Sequence, residues 1–338
     1  MATKLLVTGD WHWRGNNPKA RIDDFPAALK EKLREVFYTA WLRKCDAVVV
    51  PGDIFDSPNT SLGVIAELAH LLQQEASVPI LTVPGNHDEF GANLETIART
   101  PYGLLYRLGF VWDVQELPFE AHITPHQKLV VTGHGYDAET DREIAQYLLP
   151  AVTGVQIPVD ATWVHVVHGM ILEQSPSFEL RHTLLSEIAA HDDAPDVLIC
   201  GHEHVGWGAK WVEKCDGKTM LAINPGALCR LTAHPTEIER QVQVCLLTIG
   251  DDGRIEAELI PVMSAKPGHE VLSREHLEAQ AEREERVAAF LALLAEEGET
   301  RFLEVREIIE GIARRESVPR EVVDEALRRI SVAREAVA

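Results

Sequence analysis

Five short blocks bring carboxylate, amide and imidazole side chains to five separated points of the chain: Asp10-Trp11-His12, Gly52-Asp53, Gly85-Asn86-His87-Asp88, His168-Gly169 and Gly201-His202-Glu203-His204. Nitrogen and oxygen donors without thiolate favour Mn²⁺, Fe²⁺ or Zn²⁺ over Ca²⁺. Asp10 and His12 are two residues apart, as are His202 and His204, so in an extended strand exit each pair would share a face and grip one ion. Asp53 is the natural carboxylate to bridge two cations about 3.5 to 4 Å apart, an arrangement that activates a water as hydroxide for in-line attack on phosphorus. Asn86 adds a ligand oxygen without adding charge, which leaves the pair net positive toward a phosphate. His87, beside it, is a candidate proton donor to the leaving oxygen.

Each block closes one of eight short apolar runs bounded by turn signals, long enough for a buried strand and too short for a helix. These runs are Leu5–Thr8, Ala47–Val50, Ile80–Val83, Leu129–Thr132, Trp163–Val167, Val197–Cys200, Met220–Ile223 and Val242–Ile249. Helical periodicity lies between them at Phe25–Trp41, Leu62–Ala76, Asp141–Leu149 and Arg181–Ala190. Alternating strands and helices predict an α/β core, and in such sheets ligands bind beyond the carboxyl ends of the strands, where these blocks fall. Singly, each block is commonplace; their joint occurrence in one order carries the reading.

The 338 residues are 46% hydrophobic and 25% charged, the profile of a globular protein with a large core. A net charge of −21 argues against a broad electrostatic grip on nucleic acid or anionic lipid. No apolar run approaches the roughly 18 to 20 residues of a membrane span, and Met1 to Asp10 does not read as a signal peptide, so a cytoplasmic protein without membrane contact is expected. The five cysteines are scattered with no C-x-x-C pair, which fits unpaired thiols in a reducing compartment. Beyond Lys266 the chain becomes Arg- and Glu-rich and helical in period, with expected helices at Ser273–Glu296, Arg301–Arg315 and Val318–Val337. Apolar stripes run along Phe302, Val305, Ile308, Ile309 and Ile312, and along Val322, Val323, Ala326, Leu327 and Ile330.

Taken in order, the blocks resemble the signature of the calcineurin-like metallophosphoesterases: D-x-H, G-D, G-N-H-D/E, H and G-H-x-H. The resemblance implies a four-layer αββα sandwich in the α/β class. It further implies one metal held by Asp10, His12, Asp53 and His204, a second held by Asp53, Asn86, His168 and His202, and His87 as general acid. The chain lacks the Arg that follows Gly-Asp in the protein phosphatase branch and the Tyr ligand of the purple acid phosphatase branch.

The string Gly52-Asp53-Ile54-Phe55-Asp56-Ser57-Pro58, with Gly85-Asn86-His87-Asp88 and Asn224-Pro225-Gly226, is similar instead to the nuclease subunit of the bacterial SbcCD complex and its relatives. That similarity, over about residues 1 to 262, implies a two-metal, Mn²⁺-dependent DNA phosphodiesterase, an exonuclease with endonuclease action left open. It also implies an SbcC-like ABC-type coiled-coil ATPase as partner in repair or recombination, and allows a homodimer. The family normally adds both a capping domain and docking helices; the tail here is too short for both. The expected division is therefore a nuclease domain over 1–265 and a helical region over 270–338 that docks the ATPase.

Two rival readings stand beside it. One is a small-molecule phosphodiesterase or nucleotide hydrolase on the same fold, favoured by the acidic charge; the other is a non-catalytic binding scaffold. Arg14, Lys19, Arg21 and Arg230 are the candidate phosphate contacts near the metals. Trp11 and Trp13 could stack on a base or anchor the loop. His134 ends a strand as the ligands do, His165 reads as structural, and Asp56 and Asp88 are candidates for orienting the ligands.

Overall fold

The computed structural model describes residues 2–124, 127–148, 157–158, 161–275, 309–314 and 318–335. The chain forms two compact units, Met1–Ser273 and Arg274–Ala338.

In the first unit, one sheet contains β1 (Thr3–Val7), β2 (Ala47–Val50), β3 (Ile80–Thr82), β4 (Trp112–Asp113), β13 (Gln243–Ile249) and β14 (Ile255–Pro261), in the order β14-β13-β1-β2-β3-β4. The other contains β5 (Phe119–Thr124), β6 (Gln127–His134), β7 (Thr162–Gly169), β10 (Val197–His202), β11 (Gly208–Glu213) and β12 (Thr219–Asn224), in the order β11-β12-β10-β7-β6-β5. A small parallel pair, β8 (Ile171–Leu172) and β9 (Thr183–Leu184), stands apart from both.

Side-chain alternation produces the layering. Leu5, Val7, Val49 and Leu247 of the first sheet pack with Val131, Val166, Ile199 and Ile223 of the second. On the outer face of the first sheet, Leu6, Val48, Val50 and Ile80 bury against Leu29, Leu33 and Val36 of α1 (Phe25–Arg43) and Leu68 and Leu72 of α2 (Leu62–Glu75). On the outer face of the second, Leu198, Cys200 and Met220 pack with Leu185 and Ile188 of α4 (Leu185–Ala189), which follows α3 (Pro101–Arg107) in the chain. The result is a four-layer αββα sandwich. Asp24 starts α1 by accepting from the Ala27 amide at 3.1 Å, and Lys44, at φ 55°, ends it in the left-handed conformation.

Within the sheets, β1, β2 and β3 run parallel, as do β6, β7, β10 and β12, so their carboxyl ends share one edge. Gly201 pairs with His168 in the β10–β7 register, which sets His202 beside the end of β7.

Two helical expectations are corrected. Among the described residues of Asp141–Leu149 there is a 3₁₀ turn, Ile144–Tyr147, in place of an α-helix, because Asp141 instead accepts from the Tyr147 hydroxyl, the Thr183 hydroxyl and the Met170 amide. Arg181–Ala190 is reduced to α4, since Thr183 and Leu184 pair with Ile171 and Leu172 as strand. Two short helices, α5 (Pro235–Glu239) and α6 (Gly268–Val271), close the first unit.

In the second unit, residues 309–314 are helical and α7 spans Arg320–Glu335. Val323 is buried while Val322 and Ile312 are exposed. The expected helix at Ser273–Glu296 falls almost entirely outside the described residues, as does most of Arg301–Arg315. Among the described residues, no helix is long and apolar enough to cross a membrane.

Candidate metal centre

Three loops are tied together before any side chain meets. The amides of Trp11 and His12 both donate to the Asp53 carbonyl, at 3.0 and 2.9 Å, and the Trp13 amide donates to the Ile54 carbonyl, so the loop after β1 is fastened to the loop after β2. The loop after β3 is joined to the same place by Asp88, whose carboxylate accepts from the amides of Ile54, Phe55 and Gly85 at 3.2, 2.9 and 3.0 Å. Gly85 cannot carry a side chain there, because a Cβ would collide with Asp53. Gly52, at φ 95°, makes the turn that presents Asp53.

Three of the expected ligands stand in the left-handed region that non-glycine residues avoid: His12 at φ 47°, Asp53 at 50° and His202 at 79°. Such conformations cost on the order of 1 to 3 kcal/mol each and persist where surrounding bonds over-determine them. Here the Asp53 carbonyl holds His12, and Asp10 Oδ2 accepts from the His202 amide at 3.0 Å. The expected pairing therefore holds for Asp10 and His12, which share one donor group although His12 stands at positive φ rather than extended, and is corrected for His202 and His204, which do not share one.

The side chains form two groups with donor atoms within 4.8 Å of one another: Asp10, His12, Asp53 and His204, and Asp53, His168 and His202. The Nε2 atoms of His12 and His204 face each other at 3.0 Å, and His168 Nε2 stands 3.2 Å from His202 Nδ1 and 2.9 Å from Asn86 Oδ1. Asp53 lies in both groups. Its buried Oδ2 accepts no hydrogen bond although His12 Nε2 and His168 Nε2 approach it to 3.5 and 3.4 Å. Converging imidazole nitrogens around an unpartnered carboxylate oxygen fit two divalent cations sharing Asp53.

Backbone acceptors fix which nitrogen each ring offers. His168 Nδ1 donates to the Pro51 carbonyl at 2.7 Å, leaving Nε2 for ligation. His87 Nδ1 likewise donates to the Asp56 carbonyl at 2.8 Å, and the His87 amide donates to Asp53 Oδ1. The His87 ring packs edge-on to His12 with centroids 4.8 Å apart, and it forms a third group with His12 and Asp56. Its Nε2 is the atom left to exchange a proton.

Electrostatics follow from this crowding. Burial alone would raise Asp53, but the neighbouring His168 charge holds it far below the usual carboxylate range; Asp10 is held down by its hydrogen bond to His204 against the same burial. Burial would lower His168, yet the Asp53 carboxylate lifts it to about 9, while burial and the His168 charge push His202 down to about 4. A cation and a proton compete for the same His168 nitrogen. Adding Mn²⁺ to metal-free protein at pH 7.5 in weak buffer is therefore expected to release protons, and affinity should fall as the pH drops below about 9. Metal uptake without proton release would take His168 out of the ligand set.

Asp88 is pushed up to about 7, by burial first and then by the Asp53 charge. Asp88→Ala would leave three buried amides without an acceptor, at about 1 to 3 kcal/mol each. The expected loss is about 3 kcal/mol or more, read by thermal denaturation; an unchanged melting temperature would contradict it.

The expected phosphate contacts separate. Arg14 is half-buried at the rim, bonded to Asp56 Oδ2 at 2.8 Å, and Asp56 Oδ1 lies 3.5 Å from His12 Nδ1. Lys19 is exposed on the same loop. Arg21 and Arg230 are corrected: both are buried, Arg21 clamped on Asp23 and Arg230 donating to the carbonyls of Glu237, Lys266 and Arg240. Trp11 and Trp13 are buried loop anchors, donating to Thr8 Oγ1 and the Val64 carbonyl, and are not available to stack on a base. His134 turns to Asp137 at 3.2 Å rather than to the metal groups. His165 is buried between Thr132 Oγ1 and the Gln146 carbonyl.

Three further residues shape the site: Glu203 and Asn224, which stand in the sequence motifs without an assigned role, and Tyr136, which stands in none. Glu203 accepts from the amides of Val205 and Gly206 and so shapes the turn that carries His204, while the Asn224 side-chain amide donates to the Glu203 carbonyl. Tyr136 sets its ring 5.5 Å from His202 and 6.1 Å from His168. Its signal was present, since it follows His134 at the end of a strand that points to the same edge.

Comparison with known proteins matches the calcineurin-like phosphoesterase family model over residues 3–206, and the chain belongs to that family. It is thus a metal-dependent hydrolase of phosphate esters by family. It is also 32% identical over 89 residues to the SbcD component of the nuclease SbcCD from Staphylococcus saprophyticus, a match spanning 25% of this chain and 23% of that protein. Among solved structures it is similar to TT1561 of Thermus thermophilus, with TM-score 0.47, 16% identity, and coverage of 78% of this chain and 100% of that one. It is similar too to a dimetal phosphatase from Danio rerio, with TM-score 0.44, 14% identity, and coverage of 77% and 99%.

Proposed function

We propose that the protein is a Mn²⁺-dependent DNA phosphodiesterase, acting in the cytoplasm as the nuclease subunit of a repair or recombination complex. The observation that supports hydrolysis is the sharing of Asp53 by two donor groups with His87 against one of them. DNA as substrate rests on the sequence likeness to the SbcCD nuclease subunit.

In this reading Asp10, His12, Asp53 and His204 hold one cation, and Asp53, Asn86, His168 and His202 hold the second. Such a pair supplies Lewis-acid stabilisation of phosphoryl charge and a hydroxide nucleophile at neutral pH. His87, its Nδ1 committed to the Asp56 carbonyl, delivers a proton from Nε2 to the leaving oxygen. Asp56 orients both His12 and Arg14, and Arg14 meets the phosphate from the rim. Fe²⁺ and Zn²⁺ are the competing metals for the same donors.

Residues 1–265 carry this chemistry in the proposal, and the C-terminal region over 270–338 docks an SbcC-like ATPase. Exposed Ile312 and Val322 support a docking role. Unchanged ATPase binding after deletion of residues 297–338 would refute it.

A second reading, a small-molecule phosphodiesterase or nucleotide hydrolase, is favoured by the charge of −21 and by the burial of Arg21 and Arg230 away from the rim. The test compares Mn²⁺-dependent hydrolysis of linear double-stranded DNA, single-stranded DNA and a simple phosphodiester. DNA cleavage is expected; ester or nucleotide hydrolysis with none on DNA would select the second reading.

A further inference from the structure

A cavity of 340 Å³ lies beside the start of α1, between Arg21, Lys32, Arg230, Ser264 and Lys266. It shares no ligand with the metal centre. Its floor is cationic and buried: Arg21 is 6% exposed, Lys32 2% and Arg230 4%, with buried Arg240 beside them. The carboxylates bonded into this cluster are Asp23, which clamps Arg21, and Glu237, which holds Arg240. Against these two carboxylates stand the three buried guanidiniums of Arg21, Arg230 and Arg240, with Lys32 a fourth cation when protonated, and uncompensated buried charge is costly. Asp24, which caps α1, and Glu31, bonded to Arg34 at 2.6 Å, also line the cavity, but both are exposed to solvent, away from the buried guanidiniums.

Two of the lining groups keep donors to give. Lys32 Nζ carries three protons as an ammonium and makes one hydrogen bond, to the Leu228 carbonyl at 2.9 Å. Ser264 Oγ is buried without a hydrogen-bond partner. Burial, reinforced by the charges of Arg21, Arg230 and Arg240, brings Lys32 down to about 7, so a bound anion would restore its full charge. Lys266 stands exposed at the rim.

We propose that this cavity binds a phosphate dianion, as inorganic phosphate or as the phosphate of a nucleoside monophosphate. Lys32, Ser264 and Lys266 donate to it, while Arg21 and Arg230, whose N–H groups are largely committed, contribute charge. The cavity is joined to the metal centre through one residue, because Leu228, which accepts from Lys32, donates its amide to the Asp10 carbonyl at 2.9 Å.

The test is calorimetric titration of the full-length, Mn²⁺-loaded protein with inorganic phosphate, and separately with a nucleoside monophosphate. Two binding events are expected in the parent. Lys32→Met should abolish one and leave the other, and Lys266→Glu, at an exposed position that does not threaten folding, should weaken the same event about tenfold or more. Asp53→Asn should remove only the event that survives Lys32→Met. Equal affinity for the two probes means that phosphate alone is read, and tighter binding of the nucleotide assigns the cavity to a nucleotide. A single binding event in the parent, or an isotherm unchanged by both Lys32→Met and Lys266→Glu, would overturn the proposal.

Discussion

Asp53→Asn is expected to remove both metal ions together and to lower hydrolysis by roughly 10³-fold, beyond the 10- to 100-fold typical of a residue that only supports a ligand. The substitution keeps an oxygen able to accept the His87 amide, so the loop after β3 retains its attachment. What disappears is the negative charge that sits 3.5 Å from His12 Nε2 and 3.4 Å from His168 Nε2, inside both donor groups. Metal analysis of the purified variant reads the result directly. Two ions per chain in Asp53→Asn would contradict a shared ligand, whereas loss of one ion would mean that the groups load independently.

His87→Ala should show the opposite dissociation: full metal content and a kcat lower by about 10²- to 10⁴-fold, the range supplied by a positioned general acid. The effect should depend on the leaving group. A phosphodiester with an acidic phenol leaving group needs little protonation, so its loss should be far smaller than that on DNA. Equal losses on both substrates would assign His87 to holding the site together, through its amide bond to Asp53 and its packing on His12, rather than to proton transfer. Unchanged turnover would remove it from the mechanism.

The strand pattern shows how far local reading reaches. The eight apolar runs correspond to β1, β2, β3, β6, β7, β10, β12 and β13, which are the interior strands of the two six-stranded sheets. Within those two sheets, the four strands that no run announced, β4, β5, β11 and β14, are the four edges; the short β8–β9 pair outside them was not announced either. An edge strand is half solvated and carries polar residues in alternation, as in Ile255–Pro261, where Glu256 and Glu258 face out. A continuous apolar run therefore detects burial on both faces and passes over the strands that close a sheet.

Charge was similarly ambiguous. Arg14 and Arg21 lie seven residues apart in one loop region and read alike as candidate phosphate contacts. Folding places Arg14 at the rim of the metal centre and buries Arg21 under another cavity, because Asp23 and the Arg230 carbonyl lie in reach of its guanidinium. In sequence, Trp11 and Trp13 are open to either stacking or anchoring, and folding makes both of them anchors, since the indole donors meet acceptors at Thr8 and Val64 inside the protein.

By itself, the sequence determined the α/β class, the interior strands and the donor types at the strand ends, because these follow from side-chain chemistry and from periodicities that short segments carry alone. Only the tertiary structure decided which donors meet. Asp10 and His204 are held together by the Asp10 bond to the His202 amide, across almost two hundred residues. His202 parts from His204 and joins His168 because its backbone turns through a positive φ at the end of β10, where side-chain alternation no longer applies. That conformation is unfavourable for an isolated histidine, so nothing local announces it, and the surrounding sheet and hydrogen bonds enforce it.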